Sequence, residues 1–336
     1  MSGKVTMKEL SKSLNLSVST ISKALNNSPE ISEATVNKVK EFAALNNYIP
    51  NMAARNLKVG QCKTIGVVLP TISTPFFSSV LEGIESLAVS NGYRIILCLS
   101  NELLEKEKAS IQKLLETQID GLIISPSRET KKSNDVGHLS KLKAFKIPVV
   151  TFDRRVGDID CDTITTDEEL KAELAIFNLE RAGCNKIIFL ADTLDLAIYD
   201  SRKIGYENAM LSLGLHPMII EYQNRFPNKH LKRLLESKSI DGILACTEQS
   251  AIEVMSFILK NGFSIPHDVS VIGFNNSSLG KTFWPSLSSI DLKPKEQGNL
   301  AIETLMDRIN GLLPVGNINY QLHSEIIQRQ STRTFF

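Results

Sequence analysis

Apolar positions along the chain fall into two regimes. Up to about residue 48 they recur at helical spacing in three short runs. From residue 63 onward, short continuous apolar runs alternate with amphipathic stretches. In the first run, Met7, Leu10 and Leu14 share one helical face. Thr6-x-x-Glu9 opens that helix as a capping box, in which a hydroxyl and a carboxylate satisfy the free N–H groups of a helix start. Asn15 suits a left-handed stop. Ser17 then caps a second helix whose inward positions are Ile21, Ala24 and Leu25. Its outward positions are Val18, Ser19, Thr20, Ser22, Lys23 and Asn26. After the turn Asn27-Ser28-Pro29-Glu30, Ser32 caps a third helix over about 33–46, with Val36, Val39, Phe42, Ala43 and Leu45 as its apolar stripe. Three such helices make a compact headpiece, and the first two have the order of a helix-turn-helix. The outward face of the second is small, rich in hydroxyls, and carries one cation and no carboxylate. It suits close approach to a polyanion, and it equally suits the solvated side of a small bundle.

The second regime predicts a strand over 64–69 (TIGVVL), apolar throughout as in a strand buried on both faces. A helix over 76–90, a strand over 93–99, a helix over 104–117 and strands over 121–124 and 149–152 follow, with part of a helix at 139–144 between the last two. The series restarts with a helix over 168–182 and runs on through strands at 186–190, 218–220, 242–245 and 269–273. Helices at 201–213, 228–236 and 248–261 separate these strands. Alternation of this kind predicts parallel, doubly wound α/β sheets. Ile119-Asp120-Gly121-Leu122 recurs as Ile240-Asp241-Gly242-Ile243 at the same place in the alternation, which favours two similar lobes. Ligands of such sheets sit beyond the carboxyl ends of the strands, so two facing lobes would hold one ligand between them.

Between the regimes, residues 51–62 form a basic bridge with a thin apolar side: Met52, Ala53, Ala54 and Leu57. A helix that short is marginal without a partner. The expected divisions are therefore a headpiece over 1–50, a bridge over 51–62 and a two-lobed body over 63–336.

Charge sharpens this division. The whole chain is near neutral at +1, yet residues 1–60 hold eight lysines and arginines against four glutamates. A basic module on a slightly acidic body fits a nucleic-acid partner for the module alone. The five cysteines are scattered and odd in number, with no C-x-x-C, which argues against a disulfide framework or a zinc ribbon. No metal site and no cofactor are expected. No apolar run has the length of a membrane span and no signal peptide is evident, so a cytoplasmic protein without a membrane partner is expected. Gly280-Lys281-Thr282 resembles the end of a phosphate-binding loop, but Gly273 lies two residues too far back for one. No nucleophile elbow, dinucleotide fingerprint or metalloprotease motif is present, and an enzyme is not expected. The histidines fall mostly at helix ends and turns, and are read as surface residues.

Headpiece, bridge and double lobe together resemble the lactose-repressor (LacI/GalR) family of bacterial transcription factors. The densest stretch is TMKELSKSLNLSVSTISKALNNSPEISEATVNKV, followed by YIPNMAARNLKVG and KTIGVVLP. The body alone also resembles periplasmic sugar-binding proteins. The resemblance implies base contacts in the major groove from Val18, Ser19 and Lys23. It implies phosphate contacts from Ser17, Thr20, Ser22, Asn26, Ser32 and Thr35, with Thr6 at the same surface. Lysine stands where many members carry arginine, and lacks arginine's planar fork for guanine. In the bridge, Ala54 and Leu57 match a hinge helix that folds on DNA and wedges leucine into the minor groove, with Arg55 and Lys58 beside it.

In the body, the resemblance implies an effector site at Thr74, Phe76, Phe77, Ser125, Asp153, Arg202, Thr247 and Asn275, with Trp284 covering the cleft. Cys246-Thr247-Glu248 and Asn275 depart from the family's usual Ala-Asn-Asp and Asp. The implied protein is a homodimeric, sequence-specific regulator, expected to be a repressor. Its partners would be a pseudo-palindromic double-stranded operator and a small-molecule effector, a sugar or sugar derivative. The alternative is a sugar-binding or transport protein without DNA activity.

Overall fold

In the computed structural model, residues 5–48, 61–157, 159–192, 196–223 and 225–334 are described. They form two compact units, Met1–Cys62 and Lys63–Phe336.

The smaller unit holds helices α1 (Met7–Leu14), α2 (Val18–Leu25) and α3 (Glu33–Leu45). The capping box at α1 is complete: Thr6 Oγ1 accepts from the Glu9 N–H, and the Thr6 N–H donates to Glu9 Oε2 at 2.6 Å. Asn15 ends α1 in the left-handed region, at φ 53°. Ser17 caps α2 by accepting from the Thr20 N–H at 3.0 Å. Asn27, at φ 55°, ends α2 in the same way as Asn15, with the Ser28 N–H returning to the Lys23 carbonyl. Leu10, Ile21, Ala24 and Val39 are wholly buried where the three helices meet.

The larger unit is two α/β lobes. In the first, β1 (Thr64–Leu69), α4 (Pro75–Ser90), β2 (Arg94–Leu99), α5 (Leu104–Thr117) and β3 (Gly121–Ile124) come first. α6 (Arg128–Ser133), α7 (Gly137–Ala144), β4 (Val149–Phe152) and β5 (Asp162–Thr166) follow. The second begins with α8 (Glu168–Arg181), β6 (Ile187–Asp192), α9 (Leu196–Ser212), β7 (Met218–Tyr222) and α10 (Asn228–Glu236). It continues through β8 (Gly242–Ala245), α11 (Glu248–Lys260), β9 (Ser270–Phe274), α12 (Ser278–Thr282) and β10 (Ser288–Asp291). Then α13 (Pro294–Ile309) and β11 (Asn319–Leu322) return to the first lobe, and β12 (Glu325–Ile327) to the second. The sheets run β11-β5-β4-β3-β1-β2 and β12-β10-β9-β8-β6-β7. Every pairing is parallel except β10 with β12.

This corrects the expectation of two consecutive runs ending at 273. The first lobe is closed by residues 294–322, and the chain crosses between lobes at Asp167, at Leu292–Lys293 and at His323–Ser324. The closing strands are only four and three residues long (NYQL, EII), so no apolar run announces them. What lets α13 lie on α4 is a pair of glycines. A Cβ on Gly298 would sit 2.2 Å from the Val80 carbonyl oxygen, and one on Gly83 would sit 2.4 Å from that of Lys295. Only hydrogen fits at either crossing point.

The repeated Ile-Asp-Gly has a physical basis. Gly121 and Gly242 open β3 and β8, which hold the same place in their sheets. Each preceding aspartate ties down the neighbouring strand: Asp120 accepts from the Thr64 N–H, and Asp241 from the Asn185 and Lys186 N–H groups. One histidine departs from its expected surface place. His138 is buried and its Nε2 lies 2.6 Å from Oε1 of the wholly buried Glu107, which also accepts from the Thr130 hydroxyl and the Ser127 N–H. Such a carboxylate is tolerable inside a protein because each oxygen has a donor.

Candidate nucleic-acid interface and ligand cleft

Two surfaces gather the polar residues that the sequence points to. On α2, the buried positions Ile21 and Ala24 fix which side faces inward, leaving Val18, Ser19, Lys23 and Asn26 exposed. Val18 is 41 % exposed, an apolar residue standing in water with no core to join. Thr20 and Ser22 flank this face half-buried, and Ser17 is exposed at its start. Ser32 and Thr35 form a second hydroxyl pair, 2.9 Å apart, at the start of α3. Thr6 is exposed and bound within its own capping box. Asn26 donates back to the Ser22 carbonyl. Lys23 makes an ion pair with Glu30 of the following turn, a partner the sequence reading did not assign it. Ala54, Arg55, Leu57 and Lys58 lie outside the described residues.

The second surface is a cleft of about 340 Å³ between the lobes. As the parallel topology requires, its walls are the segments that follow strand carboxyl ends. The first lobe contributes Ser73, Thr74, Pro75, Phe76 and Phe77 after β1, and Asp153 and Arg154 after β4. The second contributes Asp192 and Tyr222 from the last positions of β6 and β7, Arg202 from α9, Thr247–Ser250 at the start of α11, and Asn275 after β9. Asp153 and Asn275 both have left-handed backbones, at φ 67° and 82°. Aspartate and asparagine tolerate that region better than other side-chain-bearing residues, and here it turns two strand ends into the cleft.

The charged groups are tied down. Arg154, 4 % exposed, makes a two-pronged pair with Glu102 at 2.7 and 2.8 Å and donates to the Pro126 carbonyl. Burial raises the affinity of the Glu102 carboxyl for its proton, but the Arg154 hydrogen bonds and charge outweigh this and hold its pKa below the usual carboxylate value. Asp153 lies 3.4 Å from Arg154 Nε and accepts from the Ser125 hydroxyl. Arg202, 1 % exposed, pairs through Nε with Glu168 at 2.8 Å, donates to the Cys246 carbonyl and lies 3.9 Å over the Phe274 ring. Glu248 accepts from the Ser277 and Gly280 N–H groups. Tyr222 donates to Glu253; burial, and then that carboxylate, push its phenol pKa well above the ordinary value, so it stays a neutral donor. Phe77 meets Phe76 and Phe152 edge to face, with ring centroids at 5.1 and 6.3 Å.

Of the nine residues expected at the effector site, seven line this cleft: Thr74, Phe76, Phe77, Asp153, Arg202, Thr247 and Asn275. Two do not. Ser125 is wholly buried and reaches the cleft only through Asp153. Trp284 is 75 % exposed and lines a separate hollow with Leu259, Ile265, Pro285 and Arg329. Its neighbours explain this, since Phe283 packs against the second-lobe core and Leu287 is buried in it, leaving Trp284 on the outer side of the turn. Sequence reading missed Arg154, Asp192, Tyr222 and Gln249, and named Glu248 only as a departure from the family's pattern. Asp192 and Tyr222 had a usable signal: each lies two residues beyond the strand end that was read, where a ligand-facing residue belongs.

The chain is similar to known proteins in both sequence and fold. Residues 6–51 match the model of bacterial regulatory proteins of the lacI family, and residues 178–332 that of a periplasmic binding protein-like domain. The chain is 30% identical to the ribose operon repressor of Haemophilus influenzae over 310 residues, 90% of this chain and 92% of that one. It is 29% identical to the HTH-type transcriptional repressor PurR of Vibrio atlanticus, over 98% of this chain and 99% of that one. In fold it is similar to the lac repressor dimer bound to operator and an anti-inducer, with TM-score 0.86 at 22% identity, covering 99% and 100% of the two chains. It is also similar to a periplasmic binding protein/LacI transcriptional regulator of Alkaliphilus metalliredigens complexed with D-xylulofuranose. There the TM-score is 0.69 at 29% identity, over 81% of this chain and all of that one.

Proposed function

The chain belongs to the lacI family of bacterial regulatory proteins, and from that membership we propose how this DNA-binding regulator works. It is a transcriptional repressor acting in the cytoplasm on its own DNA, and not an enzyme. It binds as a homodimer to a pseudo-palindromic operator, one headpiece to each half-site. Val18, Ser19 and Lys23 read base edges in the major groove: Val18 meets a thymine methyl, Ser19 hydrogen-bonds, and Lys23 donates to guanine. Ser17, Thr20, Ser22, Asn26, Ser32, Thr35 and Thr6 hold phosphates and fix the register. Ala54, Arg55, Leu57 and Lys58 act in the minor groove at the dyad.

A small molecule, a sugar or sugar derivative, enters the interlobe cleft and changes the relation of the lobes, which alters operator affinity through coupled equilibria. The observation that carries this reading is the exposed face of α2, set by the buried Ile21 and Ala24. Dimer formation is supported by Leu97 and Leu99, which lie more than a third exposed along the sheet-edge strand β2, with Leu103 equally exposed nearby. The test is a gel shift with DNA from upstream of the protein's own gene. A saturable complex that resists random competitor DNA at moderate salt is expected. Binding no tighter than to random sequence refutes the reading.

A further inference from the structure

We propose that Glu30 sets the sequence selectivity of Lys23: by holding the one cation of the α2 face, it makes contact with any DNA other than the right base less favourable. The proposal rests on the reading of α2 as the face that meets DNA.

Five lysines lie among the described headpiece residues: Lys8, Lys12, Lys23, Lys38 and Lys40. Of these, Lys23 alone makes a side-chain ion pair, and it alone stands on α2. The backbone brings the carboxylate to it. Asn27, at φ 55°, turns the chain back, and the Ser28 N–H donates to the carbonyl of Lys23 itself at 3.0 Å. The Ile31 N–H then closes on the Ser28 carbonyl, and the Ile31 side chain packs against the headpiece core. Glu30 therefore sits between two anchored residues, and its carboxylate accepts from the Lys23 ammonium. The partners are 45% and 65% exposed, so the pair contributes little to folding. What it changes is the charge that the α2 face presents.

A lone lysine on that face would attract every phosphate of a duplex, whatever the sequence, and would release a counterion for each phosphate neutralised. Lys23 held by Glu30 presents a dipole rather than a net charge. On random DNA the carboxylate is carried toward the polyanion together with the ammonium, and attraction and repulsion largely offset one another. Guanine is the exception. Its O6 and N7 set two acceptors on one edge of the major groove. The ammonium has three N–H donors, enough for both acceptors and for one bond kept to Glu30. Lysine lacks the planar fork by which arginine matches this edge. A fixed carboxylate beside it supplies, by repulsion from wrong contacts, part of the selectivity that arginine obtains by geometry.

The test compares Glu30→Gln with wild type on two duplexes of equal length, the upstream fragment that gives the specific gel shift and a random sequence, over a range of salt. Glutamine keeps the size of the side chain and removes its charge. On random DNA the variant is expected to release about one more counterion, so that its salt slope steepens by about 0.9 and its affinity rises several-fold at about 0.1 M salt. On the upstream fragment, where Lys23 already lies on guanine, the slope stays and affinity rises by less. The ratio of specific to random binding therefore falls at least about 3-fold. Glu41→Gln, which removes the same charge from an exposed position on α3, leaves that ratio unchanged. In a Lys23→Ala background Glu30→Gln also leaves it unchanged, since no cation remains to be held. Equal gains on both duplexes, an unaltered slope on random DNA, or the same fall in the ratio from Glu41→Gln or in the Lys23→Ala background overturns the inference and leaves operator binding standing. If wild type prefers the upstream fragment no more than random sequence, the reading of α2 falls, and the inference with it.

Discussion

The α2 face and the interlobe cleft are both polar surfaces, but they are built in opposite ways. In the headpiece, polar side chains are held by near neighbours. Thr6 with Glu9, Ser17 with Thr20 and Ser32 with Thr35 are each three residues apart, and Lys23 with Glu30 seven. In the cleft, Ser125 and Asp153 are 28 apart, Glu168 and Arg202 34, and Glu102 and Arg154 52. The headpiece face is solvated, and on the proposed function its groups give up water to meet DNA. The arginines of the cleft are buried, and each is already paired with a carboxylate. A surface of the first kind is altered one residue at a time; one of the second kind fails as a network.

The widest break in this contrast is Arg202→Ala. It strands the Glu168 carboxylate in a buried site, so a loss of about 3–5 kcal/mol in the stability of the larger unit is expected, measured by urea unfolding, together with loss of any effector response. A small stability change would mean the pair is not part of a network. The same region should show acid sensitivity. The pKa of Glu102 is depressed in the native state, so its stabilisation is complete above the ordinary value of 4.5 and is lost as pH falls through the native value. Glu102→Gln should flatten the acid limb of the unfolding curve, followed by circular dichroism.

Lys23→Ala should behave otherwise. Fold stability stays close to wild type, while affinity for the specific operator falls by about 1–3 kcal/mol in a salt-controlled binding assay. An equal loss on random DNA would make Lys23 a phosphate contact. The smallest effect is expected at its partner. Glu30→Gln removes an ion pair whose members are 45% and 65% exposed, worth well under about 1 kcal/mol to folding. It should nevertheless strengthen binding to any DNA, because a carboxylate beside the reading face is gone. Unchanged affinity on both DNAs would show that Glu30 stands clear of the duplex.

The same distances explain what could be read from the chain. The first two headpiece helices were legible down to their caps, because Thr6, Asn15 and Ser17 act within a turn of the helix they bound; Ser32, expected to cap the third, stands at its start but makes no side-chain cap bond and meets the Thr35 hydroxyl instead. The Asp120 and Asp241 repeat was legible because local chemistry recurs at equivalent strand starts. Arg202 was legible as a cleft residue, but not as a residue already paired, since Glu168 is brought to it only by the packing of α8 on α9. Arg154 had no local signal at all. Trp284 misled because an aromatic in a loop resembles a lid, and the alternation of Phe283 and Leu287 toward the core was not weighed.

The glycine-lined crossing of α13 on α4 has a consequence for synthesis and for genetics. The headpiece is complete once residue 48 has left the ribosome. The first lobe, begun at residue 63, lacks a helix and an edge strand until residue 322 has emerged, and the second lacks β12 until residue 327. N-terminal units fold early during translation, so the headpiece with its α2 face exists well before either lobe can close. Chains cut anywhere between the headpiece and residue 319 should therefore share one phenotype: an intact reading head joined to a body in which neither lobe is finished.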